Sequence, residues 1–466
     1  MTIESAQVTR QMIFGHDGEL TRRVRCGADN SSGRNRLISA DVSDFGVASS
    51  AMHAGRDLDI VLYGATGFVG KLTAHYLAKT GRGIRVALAG RSAERLDAMR
   101  SKLPAVAQRW PLIVADLTDA AALEAMAART QVVISTVGPY AKYGLPVVGA
   151  CAAAGTDYAD LTGEVPFVRS SIDRYHQQAV DTGARIVHSC GFDSIPSDLT
   201  VYALHRRVVA DAAGDLGETT LVLQAYSGGF AGGSISTMVE LMRLATADPA
   251  MRRMLDDPYS LSPDRDAEPD LGAQPDLPMR AGADIAPHLA GLWAGGYVMA
   301  LYNTRCVRRS NALLDWAYGR QFRYSETVAM GTTPLAPLIG AMSNATIAAA
   351  SRFGGEYLRW LPQGFVERLT PAAGVGHDEG SRGYYKVETY TTTTQGKRYA
   401  ATMAQHADPG YSATAALAGE CALALAFDRE RLSDVRGVLT PASAMGDALL
   451  ARLPAAGVIL TTEYQG

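Results

Sequence analysis

Residues 57–91, DLDIVLYGATGFVGKLTAHYLAKTGRGIRVALAGR, leave this chain few folds to choose from. An apolar run, Ile60-Val61-Leu62-Tyr63, stops at Gly64-Ala65-Thr66-Gly67-Phe68-Val69-Gly70. A helical stretch with Leu72, Tyr76 and Leu77 follows, and a second apolar run, Ile84 to Ala89, closes the unit. A glycine turn between a buried strand and a helix start sets backbone N–H groups and the positive helix end against a phosphate. Gly64 allows the tight turn, Gly67 the approach of a pyrophosphate, and Gly70 close packing of helix on strand. Thr66 and Phe68 lie in the same turn and are binding candidates with them. The spacing is GxxGxxG rather than GxGxxG, so the flanking strand and helix carry the reading. The competing reading is a structural turn in a βαβ unit that binds nothing.

From residue 58 strand and helix alternate six times. The strands are read at 58–63, 84–89, 112–115, 132–136, 157–161 and 184–189, with helices between them. Short apolar strands joined by helical crossovers predict a parallel sheet covered on both faces. The fold class is α/β: a six-stranded parallel dinucleotide-binding (Rossmann) domain over 57–193, followed by an α+β substrate domain over 194–435. In the second domain, 219–226 reads as a strand, 234–246 as a helix, and 385–394 with 398–405 as a hairpin around Gln395-Gly396-Lys397. Residues 248–288 carry seven prolines and no period, which suggests a lid, a binding loop or disorder. Residues 334–353, PLAPLIGAMSNATIAAASRF, read as a buried helix, with a lipid-tunnel wall or membrane-surface helix as the sharper alternative. Residues 411–427 read as an alanine-rich helix. The segment 436–466 supplies a last helix and strand expected to return to the first domain. Residues 1–56 show no sustained period and read as a disordered extension, with Met52 a candidate true start.

Bulk properties narrow the function classes. Lys and Arg number 44 against 47 Asp and Glu, so charge gives no case for nucleic acid as a partner. The five cysteines are scattered without CxxC or metal spacing, which argues for a reducing compartment and no disulfide framework, and no metal ligands are read. No run of 18 uninterrupted apolar residues or secretory h-region is present. A cytoplasmic protein is expected, with association at the inner face of the plasma membrane and homodimer formation both open.

Cofactor choice is the sharpest chemical inference. In an NAD-specific fold an Asp or Glu at the end of the second strand takes the ribose 2′-hydroxyl. Here that strand ends Ala89-Gly90-Arg91-Ser92. A guanidinium suits a 2′-phosphate through paired N–H donors. NADPH is therefore expected, with Arg91 the determinant and Ser92 or Lys71 as helpers. Asp116 closes the third strand, where it could contact adenine or serve only as a local cap. The fourth strand runs into Gly138-Pro139-Tyr140, where backbone could pass close to the nicotinamide. Tyr140 and Tyr143 are the candidate catalytic residues, as proton donors; the alternative for each is a packed aromatic with a satisfied hydroxyl. At the sixth strand end, Asp193 and Ser194 could orient substrate or nicotinamide, while Ser197 or Asp198 suits a helix cap. Tyr158, Asp160 and Glu164, at the fifth strand end, are structural or substrate-facing.

At GATGFVG, STVGPYAKYG, GTDYADLTGE and CGFDSIPSD the chain resembles the saccharopine dehydrogenase-like oxidoreductases. At 303–326, 385–399 and 437–458 it is similar to a narrower group, the trans-acting enoyl reductases of phthiocerol-type lipid biosynthesis. The likeness covers essentially everything after residue 57. It implies an NADPH-dependent reductase that works beside a polyketide synthase on a carrier-bound lipid intermediate, saturating a carbon–carbon double bond on the way to phthiocerol dimycocerosate and phenolic glycolipids. The alternatives are a reductase of another lipid carbonyl or imine, an amino-acid-type saccharopine reductase, and a non-catalytic NADPH-binding partner of a synthase.

Overall fold

Among the described residues, two seven-stranded sheets organise the molecule. The structure is a computed structural model; it describes residues 55–80, 83–228, 248–360 and 383–466, with side chains omitted over 353–360. The expected extension, up to residue 54, and the expected helix at 234–246 lie outside the described residues.

The first sheet has the order β13-β6-β5-β4-β1-β2-β3, from β1 (Leu58–Tyr63), β2 (Val86–Gly90), β3 (Leu112–Val114), β4 (Thr130–Ser135), β5 (Asp157–Asp160), β6 (Arg185–Val187) and β13 (Gly437–Leu439). All its pairings are parallel. β1 lies centrally between β2 and β4 and is buried along its whole length, as an apolar strand covered on both faces must be. The parallel α/β sheet is the one read from the sequence, with one more strand. β13 contributes only three residues, too few to carry a period, and pairs with β6 through Gly437, Val438 and Leu439. The return from the chain end is therefore made by β13. The terminal strand β14 (Val458–Tyr464) joins the second sheet instead, pairing antiparallel with β12 (Arg398–Gln405).

The second sheet has the order β14-β12-β11-β7-β10-β9-β8 and is mixed. Its other strands are β7 (Leu216–Ser227), β8 (Arg280–Ala281), β9 (Trp293–Gly296), β10 (Arg323–Gly331), β11 (Tyr384–Thr393) and β12 (Arg398–Gln405). β7 and β10 run parallel, and β11 and β12 form the expected hairpin, closed at Gly396 in the left-handed region (φ 77°). Both sheets lie in one compact unit, and one continuous apolar cluster runs from Ile60 and Leu62 through Leu199 and Leu417 to Tyr385 and Met403. Arg56, which the sequence reading left in the extension, is fixed to this unit. Its guanidinium donates to the Thr130 carbonyl and, at 2.7 Å, to the Ala154 carbonyl.

Two other expectations are corrected. Residues 248–288 are strapped down rather than loose. Asp248 caps the helix Pro249–Asp256, and Ser260, Leu261 and Ser262 are buried. Arg305, Arg308 and Arg309, on the helix Ala300–Leu313, donate to the carbonyls of Asp257, Pro258 and Leu261. The Arg305 guanidinium also pairs with Asp276 at 2.9 Å. Backbone carbonyls thus take the place of the apolar periodicity that usually signals order. The helix Ala336–Trp360 is not buried: Ala336 and Gly340 face inward, but Leu335, Leu338, Ile339 and Met342 are exposed. The apolar helix that is buried is Thr414–Phe427, preceded by a wide turn at Pro409–Ala413. Pro409–Phe427 is long and apolar enough to cross a membrane, yet 83% of that stretch is buried inside the fold.

Candidate active site

The site forms where the carboxyl ends of the parallel strands meet the second sheet. Gly64, after β1, has φ +85°; a Cβ there would fall 2.6 Å from Val137 Cγ2 and 2.8 Å from Thr136 Oγ1. A Cβ on Gly70 would sit 2.3 Å from the Gly64 carbonyl oxygen, so helix Phe68–Thr80 packs on the turn only because Gly70 has no side chain. Gly67 donates its N–H to the Gly64 carbonyl at 2.9 Å, and a Cβ there would meet only that oxygen, at 3.2 Å. Its outer side is open. The first turn of the helix points backbone N–H groups into the same space. Thr66 and Phe68 are half-buried beside it, and the Phe68 ring meets Tyr411 edge-on, centroids 4.7 Å apart.

At the end of β2, Arg91 is exposed, and its charge reaches both Asp116 and the Tyr63 phenol. Ser92 caps the helix Ala93–Arg100, its oxygen accepting the Arg95 N–H at 3.3 Å. Asp116 accepts the Thr118 N–H at 3.0 Å and the Thr118 hydroxyl at 2.7 Å. These bonds, with a smaller contribution from Arg91, hold its carboxyl below the usual range. Burial, helped by Asp116, pushes the Tyr63 phenol up to about 12, and its hydroxyl donates to the Ala115 carbonyl.

At the end of β4, the Gly138–Pro139 peptide is cis and opens a short helical turn, Tyr140–Tyr143. The buried Glu164 carboxylate accepts the N–H groups of Tyr140 and Ala141 at 2.8 and 2.6 Å. The Tyr140 hydroxyl donates to the Ser135 carbonyl at 3.0 Å and accepts the Leu161 N–H at 3.3 Å. Burial, first of all, holds this phenol well above its ordinary value. Tyr143 is half-buried, with the Lys142 ammonium 5.1 Å from its ring centroid.

Beyond β5 and β6 the polar groups bond to one another. Asp160 Oδ2 lies 2.8 Å from His188 Nδ1, and His188 Nε2 lies 2.9 Å from the Ser171 hydroxyl. With Nδ1 donating to the carboxylate, Nε2 accepts the Ser171 hydroxyl. Asp160 Oδ1 accepts the N–H groups of Thr162 and Ser189, both at 3.1 Å. The next turn is gripped from the helix Ala300–Leu313, backed by β10 of the second sheet. Asn303 Nδ2 donates to the Asp193 carbonyl (2.7 Å), Ser197 Oγ (3.1 Å) and Glu326 Oε2 (3.1 Å). The Ser194 hydroxyl donates to Asn303 Oδ1 at 2.8 Å, and the Tyr324 hydroxyl to Glu326 Oε1 at 2.9 Å. Burial pushes the Glu326 carboxyl up to about 7 despite the hydrogen bonds it accepts. The Phe192 ring packs on Tyr385, centroids 4.5 Å apart, and its N–H donates to Thr414 Oγ1.

Comparison with known proteins agrees with this geometry. Residues 60–187 match the saccharopine dehydrogenase NADP-binding domain. A Mycobacterium tuberculosis protein provisionally named a trans-acting enoyl reductase is 62% identical over 413 residues, covering 87% of this chain and 98% of its own. Trans-acting enoyl reductases of M. tuberculosis and M. bovis are 58% identical over 412 residues, covering 88% of this chain and 98% of theirs. The chain belongs to the saccharopine dehydrogenase-like oxidoreductases, in the trans-acting enoyl reductase group. Among solved structures, apo saccharopine dehydrogenase (L-Glu forming) from Saccharomyces cerevisiae shares the fold, with a TM-score of 0.50, 15% identity and coverage of 88% of this chain and all of that one.

The turn residues Gly64, Thr66, Gly67, Phe68 and Gly70, Arg91 and the Gly138-Pro139 pair all lie beyond the carboxyl ends of the parallel strands β1, β2 and β4. Ser92 and Asp116 stand nearby with their oxygens engaged in a helix cap and a local turn. The two tyrosines separate. Tyr140 turns inward with its hydroxyl used twice, so a donor role is withdrawn from it; Tyr143 remains the candidate. Asp198 does not cap the helix that contains it (Ile195–Ala210). It accepts the Ala442 N–H at 2.7 Å, at the start of the helix Pro441–Arg452, and burial pushes its carboxyl up to about 6. Asn303 and Glu326 went unread. Asn303 opens NTRCVRRSN, a polar run that looks like a solvated helix face, yet every residue of it is buried. No local signal marks such a run as interior.

Proposed function

We propose that this protein uses NADPH to saturate the carbon–carbon double bond of an enoyl thioester carried by a polyketide synthase, in the cytoplasm, toward a phthiocerol-type lipid. The observation that carries this reading is 58–62% identity to trans-acting enoyl reductases over 98% of their length. The residues fit the cofactor. The left-handed turn at Gly64, the bare contact at Gly70 and the open side of Gly67 suit a pyrophosphate. Arg91, exposed where an NAD enzyme has a carboxylate, suits a ribose 2′-phosphate.

NADPH, when bound, supplies the hydride for the β-carbon of the enoyl group. The chain's own part is to bind, orient and protonate. The glycine turn and Arg91 hold the two phosphate ends. The Gly138–Tyr143 turn, braced by Glu164, forms one lip of the cleft. The Asp193–Ser194 turn, held by Asn303, forms another. The Tyr143 hydroxyl donates a proton as charge develops on the thioester oxygen or α-carbon.

The test is a carrier-bound α,β-unsaturated acyl substrate incubated with full-length protein and NADPH. Loss of NADPH absorbance matched by a gain of two hydrogens in the acyl mass is expected. NADPH binding without turnover on carrier-bound enoyl chains of several lengths would overturn the reading in favour of a non-catalytic partner.

A further inference from the structure

Two turns at the carboxyl edge of the parallel sheet must keep a fixed spacing if one dinucleotide is to reach both. The phosphate turn follows β1, and the Gly191–Ser194 turn follows β6, on the far side of β4 and β5. Neighbouring strands lie about 4.8 Å apart, which separates the two turns by about 14 Å along the edge. Arg91 stands beyond β2, on the opposite side of β1. With the 2′-phosphate there, the nicotinamide half is left to run over β4 and β5 toward β6.

One stretch of chain touches both turns. The wide turn Pro409–Ala413 leads into the buried helix Thr414–Phe427. Its width comes from the Ala413 N–H, which reaches back to the Asp408 carbonyl at 2.9 Å, a form of turn that concentrates at functional sites. Buried Tyr411 meets the Phe68 ring of the phosphate turn edge-on, centroids 4.7 Å apart. The Thr414 hydroxyl accepts the Phe192 N–H at 3.1 Å and donates to the Pro409 carbonyl at 2.9 Å. It is used in both directions, toward the far turn and back onto its own. A Cβ on Gly191 would fall 3.1 Å from the Thr414 methyl, so the two chains are also in close contact there.

This stretch is locked to the phosphate turn. A Cβ on Gly419 would fall 2.5 Å from Tyr76 Cδ1, so the helices Phe68–Thr80 and Thr414–Phe427 meet with no side chain on Gly419 to hold them apart. The Tyr76 hydroxyl donates to the buried Glu420 carboxylate at 2.6 Å, and Arg452 donates to the other oxygen of Glu420 at 3.2 Å. The pairs Phe68–Tyr411 and Tyr76–Gly419 keep the same offset, so the two helices run side by side in one direction. Movement of the far turn away from them would strand the buried Phe192 N–H without its acceptor.

We propose that Thr414 and Tyr411 are positioning residues for the cofactor: through them the helix Thr414–Phe427 holds the Gly191–Ser194 turn at the distance from the phosphate turn that the nicotinamide half of NADPH requires. The proposal rests on the NADPH reading given above.

Calorimetric titration of the full chain with NADPH and with adenosine 2′,5′-bisphosphate tests it. The second ligand carries the 2′-phosphate and no nicotinamide. The wild type should bind NADPH more tightly than the fragment. Thr414→Val keeps the side-chain shape and removes the hydroxyl; it should weaken NADPH about tenfold and leave the fragment within about twofold. Thr414→Ser, which restores the hydroxyl, should return both affinities to the wild-type values. Gly191→Ala leaves every backbone and hydroxyl partner in place but crowds the Thr414 methyl, and should weaken NADPH alone, about threefold. It carries the comparison if Thr414→Val does not fold. Equal loss of both ligands, no loss of either, or a serine variant as weak as the valine one overturns the proposal while the NADPH reading stands. A wild type that binds neither ligand overturns both.

Discussion

The two ends of the cleft are built in opposite ways. The phosphate end is local: Gly64, Gly67 and Gly70 lie within seven residues, and each acts through its backbone. The far end is assembled over long range. Asn303 reaches Asp193 across 110 residues and Ser197 across 106, and Glu326 sits on the second sheet. The first design has no side chains to lose, so it fails only by steric intrusion. The second depends on buried polar groups that must all stay paired, so it fails by losing one partner.

The sharpest break should come at the local end. A Gly70→Val change drives Cβ into the Gly64 carbonyl and displaces the turn. NADPH affinity should fall more than 100-fold, read by fluorescence titration, with urea unfolding separating lost binding from lost fold. Wild-type affinity in this variant would show that the turn does not hold the cofactor. Next is Arg91→Ala. Losing charge-assisted bonds to a 2′-phosphate should weaken NADPH about 10- to 100-fold and leave NADH unchanged. Equal loss for both cofactors would remove Arg91 as the determinant.

The long-range end is probed through Glu326. Its carboxyl in the folded chain lies near 7, above the ordinary unfolded value near 4.3. The native state therefore holds the proton more tightly. The stability this contributes is complete below about pH 4 and is lost as pH rises through about 7, on the order of 3–4 kcal/mol for the full difference between the two values. Glu326→Gln should flatten the fall in urea stability between pH 5.5 and 8; an unaltered slope would locate the titration elsewhere, with Asp198 the next group to examine. The smallest effects separate the two tyrosines. Tyr143→Phe should lower kcat about tenfold with NADPH affinity intact. Tyr140→Phe should spare the chemical step and cost about 1 kcal/mol of stability, because it removes a hydroxyl bonded to Ser135 and Leu161. The reverse pattern would return the donor role to Tyr140.

Legibility followed the same division. The glycine turn, the alternating strands and the 385–405 hairpin could be read because each is a short-range pattern imposed by backbone geometry. The two apolar helices could not be ranked. PLAPLIGAMSNATIAAASRF looked as buried as the alanine-rich helix Thr414–Phe427, but only the latter is buried, packed on β4 and β5 and against the helices Phe68–Thr80 and Pro441–Arg452. Composition reports what a helix can bury, not what reaches it. Residues 248–288 misled in the other direction: arginines some fifty positions away hold this strap by its carbonyls, and no sequence period encodes that.

The sequence by itself determined the parallel sheet, the phosphate turn, the missing carboxylate at the end of β2 and the family, because each rests on residues adjacent in the chain. Only the tertiary structure decided that β13 completes that sheet, that Tyr140 is spent inward while Tyr143 is only half-buried, and that Asn303, paired with Glu326, holds the Asp193–Ser197 turn. Those outcomes depend on which distant groups meet in a low-dielectric interior, where each buried donor or acceptor must find a partner.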